Sequence, residues 1–130
     1  MAAAVSDFYI PSTQLSVHKI QSSDGPPSIQ LQCVPKMLTP LVQHWAKHSA
    51  IVTFKLETDP KILVEKARRA LDRYGHNLVI GNILDTRKKE VLLVGKDTIE
   101  EVKMTDKEME EGLEIEERIV RIIIARIQDL

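Results

Sequence analysis

The sequence predicts an α/β protein with a mostly parallel sheet and helices on the faces of that sheet. Short apolar runs rich in β-branched residues, at residues 50–54 and 78–83, are typical of buried strands. Between them lies a segment whose apolar residues recur at helical spacing. Strands that alternate with helices in this way favour parallel pairing with helices packed on both sides.

Size and composition indicate one globular domain spanning residues 1–130. Hydrophobic residues make up 43% of the chain and charged residues 28%, with a net charge of −1. Positive charges form no stripe, so we expect no nucleic-acid partner. No apolar run approaches a membrane span, and the N-terminus lacks a signal-peptide pattern. The single Cys33 excludes an internal disulfide and fits the reducing cytoplasm.

The first residues have the pattern of a buried strand that ends in a polar turn. Small apolar residues at positions 1–5 are followed by Ser6 and Asp7. Ligands of open α/β sheets bind outside the carboxyl ends of the strands, so this turn is a candidate site. Because no strand, helix or glycine loop precedes it, we expect the N-terminal strands of the fold to be missing.

A β-hairpin arm is predicted next, with strands at residues 17–20 and 29–34. The segment between them, residues 22–27, is rich in glycine and proline and has strong turn chemistry. Alternation with glutamines predicts that three residues of the second strand face inward: Ile29, Leu31 and Cys33. Cys33 is therefore interpreted as a buried structural thiol.

Two helices begin with a capping side chain followed by proline, at Thr39 and at Asp59. The first is predicted to run to about Lys47, and the second to end at Gly75. The second helix has one apolar face, formed by Leu63, Ala67, Ala70, Leu71 and Tyr74.

A capping box of Thr105 and Glu108 predicts a final helix that runs to about Gln128, with Gly112 as a weak point. Its predicted buried stripe consists of Met109, Leu113, Val120, Ile123, Ile124 and Ile127. The later strands are predicted at residues 78–83, 90–94 and 98–104.

Candidate ligand-binding residues lie at two strand ends. Phe54 closes the first strand, and Asn82 follows Gly81 at the end of the second. If the strands are adjacent and parallel, their ends are neighbours. The helix N-terminus after Asp59 could also bind an anion. A purely structural interpretation stays open, in which Phe54 is a core residue and Asp59 only caps a helix.

Glu57 could bind a metal or a ribose hydroxyl, or lie solvated in a polar turn. The histidines form no metal motif with each other or with Cys33, and are interpreted as surface or helix-end residues: His18, His44, His48 and His76. No metal site is therefore predicted. The chain also contains neither a Walker loop nor a G-x-G-x-x-G sequence to cradle phosphates.

Several segments match one family in order and spacing. They are residues 2–9, His18-Lys19-Ile20-Gln21-Ser22-Ser23, Val34-Pro35-Lys36-Met37-Leu38, Phe54-Lys55-Leu56-Glu57-Thr58-Asp59-Pro60 and Gly81-Asn82-Ile83-Leu84. Over nearly its whole length, the chain resembles the C-terminal part of the eukaryotic phosphopantothenate–cysteine ligases.

The resemblance implies a Rossmann-like three-layer fold that works as a homodimer. The family joins cysteine to 4′-phosphopantothenate in coenzyme A synthesis. A nucleotide first activates the substrate carboxylate as an acyl-nucleotidylate, and the cysteine amine then attacks it. The implied nucleotide is ATP for eukaryotic members and CTP for bacterial ones, with Mg²⁺ as the usual cation.

The resemblance also implies roles for individual residues. Lys19 corresponds to the first lysine of a basic motif in a mobile loop and is the implied catalytic residue, able to neutralise developing phosphate charge. Bacterial members have further lysines where this chain has Gln21 and Ser22, and nucleotide-binding lysines where it has Ala70 and Tyr74. The implied substrate-binding residues are Ala3, Ala4 and Asp7, and the implied nucleotide-binding residues are Phe54 and Asn82.

The glycine-rich nucleotide loop of the family lies upstream of the matching segments, so we expect little ligase activity from this chain alone. Two roles stay open. The chain is either a catalytic piece of the ligase, or a non-catalytic truncated form that dimerises with full-length ligase. An unrelated Rossmann-like binding domain is a third possibility.

Overall fold

A computed structural model describes residues 6–21 and 25–128 of the chain. The chain divides into two compact units, residues 1–37 and residues 38–130. The single domain expected from composition stays a prediction.

The first unit contains a small antiparallel pair. Strand β1 (Phe8–Tyr9) pairs with β2 (Gln32–Cys33), so that Phe8 lies opposite Cys33. A short 3₁₀ turn, Ser12–Gln14, follows β1. The predicted first strand of the arm is wrong, because residues 17–20 form no strand. The Ser16 hydroxyl instead donates to the carbonyl of His18 at 2.6 Å, and such local bonds compete with strand pairing.

The predicted inward-facing residues of β2 and its approach are also wrong. Ile29, Leu31 and Cys33 are all exposed, and Cys33 is a free thiol rather than a buried one. A ladder of two residues per strand is too short to form a sheet face that could cover these side chains.

The second unit begins with a short helical segment. Helix α1 (Leu38–Pro40) continues into a wide turn, Leu41–Trp45, which the Ala46 N–H closes by donating to the Leu41 carbonyl at 2.8 Å. This i→i+5 bond is typical of a π-type turn. The predicted helix therefore starts earlier than Thr39 and ends at Trp45.

Four strands form the sheet of the second unit. They are β3 (Val52–Glu57), β4 (Leu78–Ile83), β5 (Glu90–Val94) and β6 (Ile99–Lys103), in that spatial order. Helix α2 (Pro60–Tyr74) connects β3 to β4, which are parallel. β5 and β6 follow through short turns, which can join only antiparallel strands. The α/β class is confirmed, and the parallel pairing lies where a helix crosses over.

Helix α2 has both predicted caps. The Asp59 carboxylate accepts the Lys61 N–H at 2.9 Å, and Gly75 ends the helix in the left-handed conformation at φ 70°. The buried face, with Leu63, Ala67 and Leu71, matches the prediction.

The final helix is divided in two, which corrects the prediction of one continuous helix. Helix α3 (Asp106–Glu110) has the predicted capping box, but Gly112 then adopts a φ of 77° and α4 (Ile115–Gln128) starts anew. A left-handed residue ends an α-helix.

The break changes which side of α4 is buried. Ile115 and Ile119 enter the core, and Met109 and Ile123 pack partly against it. The other members of the predicted stripe are exposed: Leu113, Val120, Ile124 and Ile127.

Alternate residues of the strands face two cores, which produces three layers. Val79 and Val94 pack against α2. Ile80 and Leu93 pack on the opposite side with Ile119 of α4. Helices therefore cover both faces of the sheet, as predicted. None of the described helices is long and apolar enough to cross a membrane.

Candidate functional site

The carboxyl ends of β3 and β4 lie side by side. Phe54 is registered with Ile80, and Leu56 with Asn82. Registered residues of adjacent strands project from the same face, and so do residues two apart along one strand. Phe54, Leu56 and Asn82 therefore share one face, and the two strand ends are neighbours as expected. The prediction that Phe54 closes its strand is wrong, because the ladder with β4 continues to Glu57 and leaves Phe54 in the middle of β3.

Phe54 is an exposed aromatic residue and not a core residue. Its exposed fraction is 64%, so the structural interpretation of this side chain is wrong. Leu56, two residues further along, is also exposed. An exposed aromatic face can stack on a planar ring such as a nucleotide base.

Asn82 carries a buried acceptor without a partner. No described residue donates a hydrogen bond to its Oδ1, although this atom is shielded from solvent. Buried polar atoms are almost always paired, because an unpaired one costs about 1–3 kcal/mol. The unsatisfied acceptor points to a ligand donor at this strand end.

Gly81 lets helix α2 approach β4 next to Asn82. A Cβ atom at this position would lie 3.1 Å from Cγ and 3.2 Å from both Cδ atoms of Leu63. A side chain here would force Leu63 to shift, so it is the packing, and not the backbone angles, that favours glycine.

Asp59 and Glu57 are both occupied by contacts within the protein. Asp59 caps α2, as the structural interpretation expected. Glu57 has a side chain only 12% exposed and pairs with Nζ of Lys66 at 2.9 Å and of Lys55 at 3.4 Å. The hydrogen bond from Lys66 outweighs burial and lowers the pKa of Glu57. The solvated interpretation of Glu57 is wrong.

The first unit holds the residues predicted for substrate binding and catalysis. The Asp7 carboxylate forms an ion pair with the Lys36 ammonium, and the Asp7 carbonyl accepts the Val34 N–H at 2.9 Å. Lys19 is exposed on an irregular segment, where its carbonyl accepts a bond from the Gln21 side chain at 3.1 Å. Ala3 and Ala4 lie outside the described residues.

Lys36 is a site candidate that sequence reasoning missed. It belongs to one of the family-like segments, but its pairing with Asp7 bridges 29 positions of sequence. The only available signal was a lysine within that segment, and nothing local connects it to Asp7.

His76 follows the C-cap Gly75 and is therefore a helix-end residue, as one interpretation expected, but it is buried, so the surface interpretation is wrong. Its exposed fraction is 8%, and its Nε2 lies 2.8 Å from the Thr53 hydroxyl. Burial lowers the pKa of His76 below the ordinary value of 6.5. Among the described residues, no group of three or more His, Cys, Asp or Glu side chains is placed to hold a metal ion.

Comparison with known proteins places this geometry in context. Residues 1–128 match the family model described as "DNA/pantothenate metabolism flavoprotein C-terminal domain". The phosphopantothenate–cysteine ligase of Homo sapiens is 50% identical over 120 residues, which cover 92% of this chain and 39% of the human protein. The ligase CAB2 of Saccharomyces cerevisiae is 42% identical, covering 97% of this chain and 39% of the yeast protein.

A solved structure supports the same likeness. A Cab2 mutant in complex with phosphopantothenate-cysteine has a TM-score of 0.87 and 44% identity, covering 98% of this chain and 43% of the Cab2 chain. A flavoprotein structure from Streptococcus pneumoniae has a TM-score of 0.65 at 25% identity. This chain spans 39% of the length of the human and yeast ligases.

Proposed function

Because this chain belongs to the DNA/pantothenate metabolism flavoprotein C-terminal domain family, we propose that it is the C-terminal domain of a phosphopantothenate–cysteine ligase. The reaction joins cysteine to 4′-phosphopantothenate through a nucleotide-activated acyl intermediate. The observation that carries the proposal is that the exposed Phe54 and the partnerless Asn82 acceptor share one face of a parallel strand pair.

These two residues suit a nucleotide base. The exposed Phe54 ring supplies a stacking surface, and the unpaired Asn82 Oδ1 accepts from an exocyclic amine. ATP is the proposed nucleotide, since Ala70 and Tyr74 occupy the helix positions at which bacterial members carry lysines.

The first unit supplies the acyl-substrate side of the proposal. Asp7, held by Lys36, binds phosphopantothenate together with Ala3 and Ala4. The exposed ammonium of Lys19 offsets negative charge that develops on the phosphate as the acyl-nucleotidylate forms and breaks.

Magnesium does not have a dedicated site among the described residues. They offer no cluster of three metal-ligating side chains, and both Glu57 and Asp7 are engaged by lysines. Mg²⁺ is commonly held through substrate phosphates with only one or two carboxylates. Mg²⁺ therefore belongs to the proposal as a companion of ATP, and no catalytic step is assigned to it.

A homodimer in the cytoplasm completes the proposal. Of the described residues in the first unit, only Pro11 is buried. Large apolar side chains of this unit are exposed, among them Leu15, Val17, Ile20, Ile29 and Leu31. A segment this small rarely builds its own core, and such exposure is typical of an interaction surface.

The free, exposed Cys33 fits a reducing compartment.

A chimera tests the proposed activity. The matching segment of the human ligase is replaced by this chain, and phosphopantothenoylcysteine is measured by mass spectrometry after incubation with 4′-phosphopantothenate, cysteine, ATP and Mg²⁺. We expect the chimera to form product. The Phe54→Ala variant should lose activity, whereas Trp45→Ala, which removes an aromatic ring of nearly equal exposure, should not.

The control also separates folding from function. A chimera that is folded by circular dichroism and forms no product would contradict the proposal. Equal activity in the Phe54→Ala and Trp45→Ala chimeras would contradict the assignment of the nucleotide site.

A further inference from the structure

The turn between β4 and β5 carries three consecutive cations that the proposed function does not use. Arg87, Lys88 and Lys89 are all exposed. The turn is well defined by its backbone, because the Thr86 N–H donates to the Ile83 carbonyl at 3.1 Å and the Lys89 N–H to the Thr86 carbonyl at 2.7 Å. The two lysines therefore extend from a fixed backbone.

This turn lies at the edge of the sheet that carries Phe54 and Asn82. It follows directly from the carboxyl end of β4, and the Leu84 N–H donates to the Glu57 carbonyl at 3.0 Å, which fixes the turn to the end of β3. The turn begins at Leu84, four residues beyond Ile80, the register partner of Phe54. At about 3.3 Å per residue this is about 13 Å along the strand. The sugar and phosphate chain of a nucleotide can span that distance.

Positive charge is in excess at this edge, although the whole chain has a net charge of −1. Within the described ranges, no acidic side chain forms an ion pair with Lys88 or Lys89, and Asp85 is the single acidic residue of the turn. At the end of β3, Glu57 is shared by two lysines, so that cluster is also positive. Such a concentration of like charge attracts an anion.

A second observation points to a ligand at the same edge. The hydroxyl Oγ1 of Thr86, within the turn, is buried and has no hydrogen-bond partner among the described residues. Asn82 Oδ1, four residues earlier, is also buried and has no hydrogen-bond partner among the described residues. The Thr86 hydroxyl can donate to a phosphate oxygen beside the unpaired cations, whereas the Asn82 Oδ1 can only accept and therefore suits a donor group of the base.

We infer that Lys88 and Lys89 bind the phosphate chain of the nucleotide whose base lies at Phe54. This inference rests on the proposed function and adds a phosphate subsite to it. Phosphopantothenate is the other phosphate donor in the reaction. The nucleotide is favoured because the turn follows directly from β4, which carries Asn82 and pairs with the strand of Phe54.

A phosphate series tests the subsite on the full 130-residue chain. Adenosine, AMP, ADP, ATP and 4′-phosphopantothenate are each titrated by calorimetry into the unmodified chain and a Lys88→Gln/Lys89→Gln variant. Arg87 is left unchanged, because its guanidinium donates to the Leu84 carbonyl and holds the turn. The control is Lys47→Gln/Lys96→Gln, which removes the same charge from exposed positions near the opposite edge of the sheet.

We expect neutralisation of Lys88 and Lys89 to weaken the binding of ATP about fivefold to tenfold and the binding of AMP less than about twofold. These factors are small because each exposed ion pair contributes little to binding. Adenosine and phosphopantothenate should bind unchanged, and the control should bind ATP like the unmodified chain. An equal loss in the control, or an equal loss for adenosine and ATP, would overturn the inference.

The remaining outcomes separate the two proposals. If ATP binding is weakened by the loss of Phe54 but not by the loss of the Lys88 and Lys89 charges, the phosphate subsite is wrong and the proposed function is not affected. Weakened binding of phosphopantothenate alone would also overturn the subsite, because the phosphate source would then be the other substrate. Failure of the unmodified chain to bind any of the nucleotides would count against the proposed function and against this inference with it.

Discussion

The Phe54 ring and the Asn82 amide project from the same face of two adjacent parallel strands, two register positions apart. One is an exposed apolar surface and the other a buried acceptor without a partner. Core packing explains neither feature, because an exposed ring gains little from folding and an unpaired acceptor costs stability. A bound ring with a donor group would account for both.

Phe54→Ala should weaken ATP binding about fivefold or more, since stacking on an aromatic side chain contributes about 1–3 kcal/mol per base. The free energy of unfolding should change little, because the ring is mostly exposed. Calorimetry and urea unfolding check the two parts. Trp45→Ala is the matched control, and a similar loss of ATP binding in that variant would show that the effect is not specific to the strand end.

Asn82→Leu should abolish nucleotide binding while leaving stability unchanged or raising it by about 1 kcal/mol. The substitution removes an acceptor that has no protein partner, and replacing such a group by an apolar one is neutral or favourable. Asn77→Leu is the contrasting variant. Asn77 Oδ1 accepts the Ile51 N–H at 2.8 Å, so its loss should cost about 1 kcal/mol. Equal destabilisation of both variants in urea would contradict the unpaired state of Asn82.

Local sequence signals predicted the centre of this fold correctly. Helix α2 was predicted with both caps, because Asp59 and Gly75 act on backbone groups only a few residues away. Strand β4 was predicted with the bounds that the structure has, since a β-branched apolar run between a helix cap and a polar turn has few alternatives.

Features that depend on distant residues were missed. The partner of β2 lies 23 or more positions away in β1, and the buried His76 contacts Thr53 at a separation of 23 positions. The unsatisfied acceptor of Asn82 is invisible in a sequence, because an asparagine at a strand end usually finds a partner. Gly112 was recognised only as a weak point, since helix propensity alone does not reveal a left-handed backbone.

Gly81→Ala should lower the free energy of unfolding by about 1–3 kcal/mol, the usual cost of overpacking a filled core. The added methyl would lie 3.1 Å from Leu63 Cγ, and Leu63 is itself fully buried. A double-mutant cycle with Leu63→Ala isolates this contact. The double variant should be more stable than the two separate costs predict, by at least about 0.5 kcal/mol, because the truncated side chain leaves room for the methyl. Strict additivity in urea unfolding would rule out the clash.

Acid should destabilise the protein through His76. Burial lowers the pKa of this side chain in the folded state, whereas the unfolded chain keeps the ordinary value of 6.5. Below pH 6.5 the unfolded state therefore takes up a proton that the folded state does not, and stability falls as the pH drops toward the folded pKa. The loss attributable to one such group is at most about 1.4 kcal/mol per pH unit. In His76→Gln, the free energy of unfolding should depend less on pH between pH 5 and 6.5, whereas the exposed His48→Gln should behave like the unmodified chain. An identical pH dependence in all three proteins would show that His76 is not the titrating group.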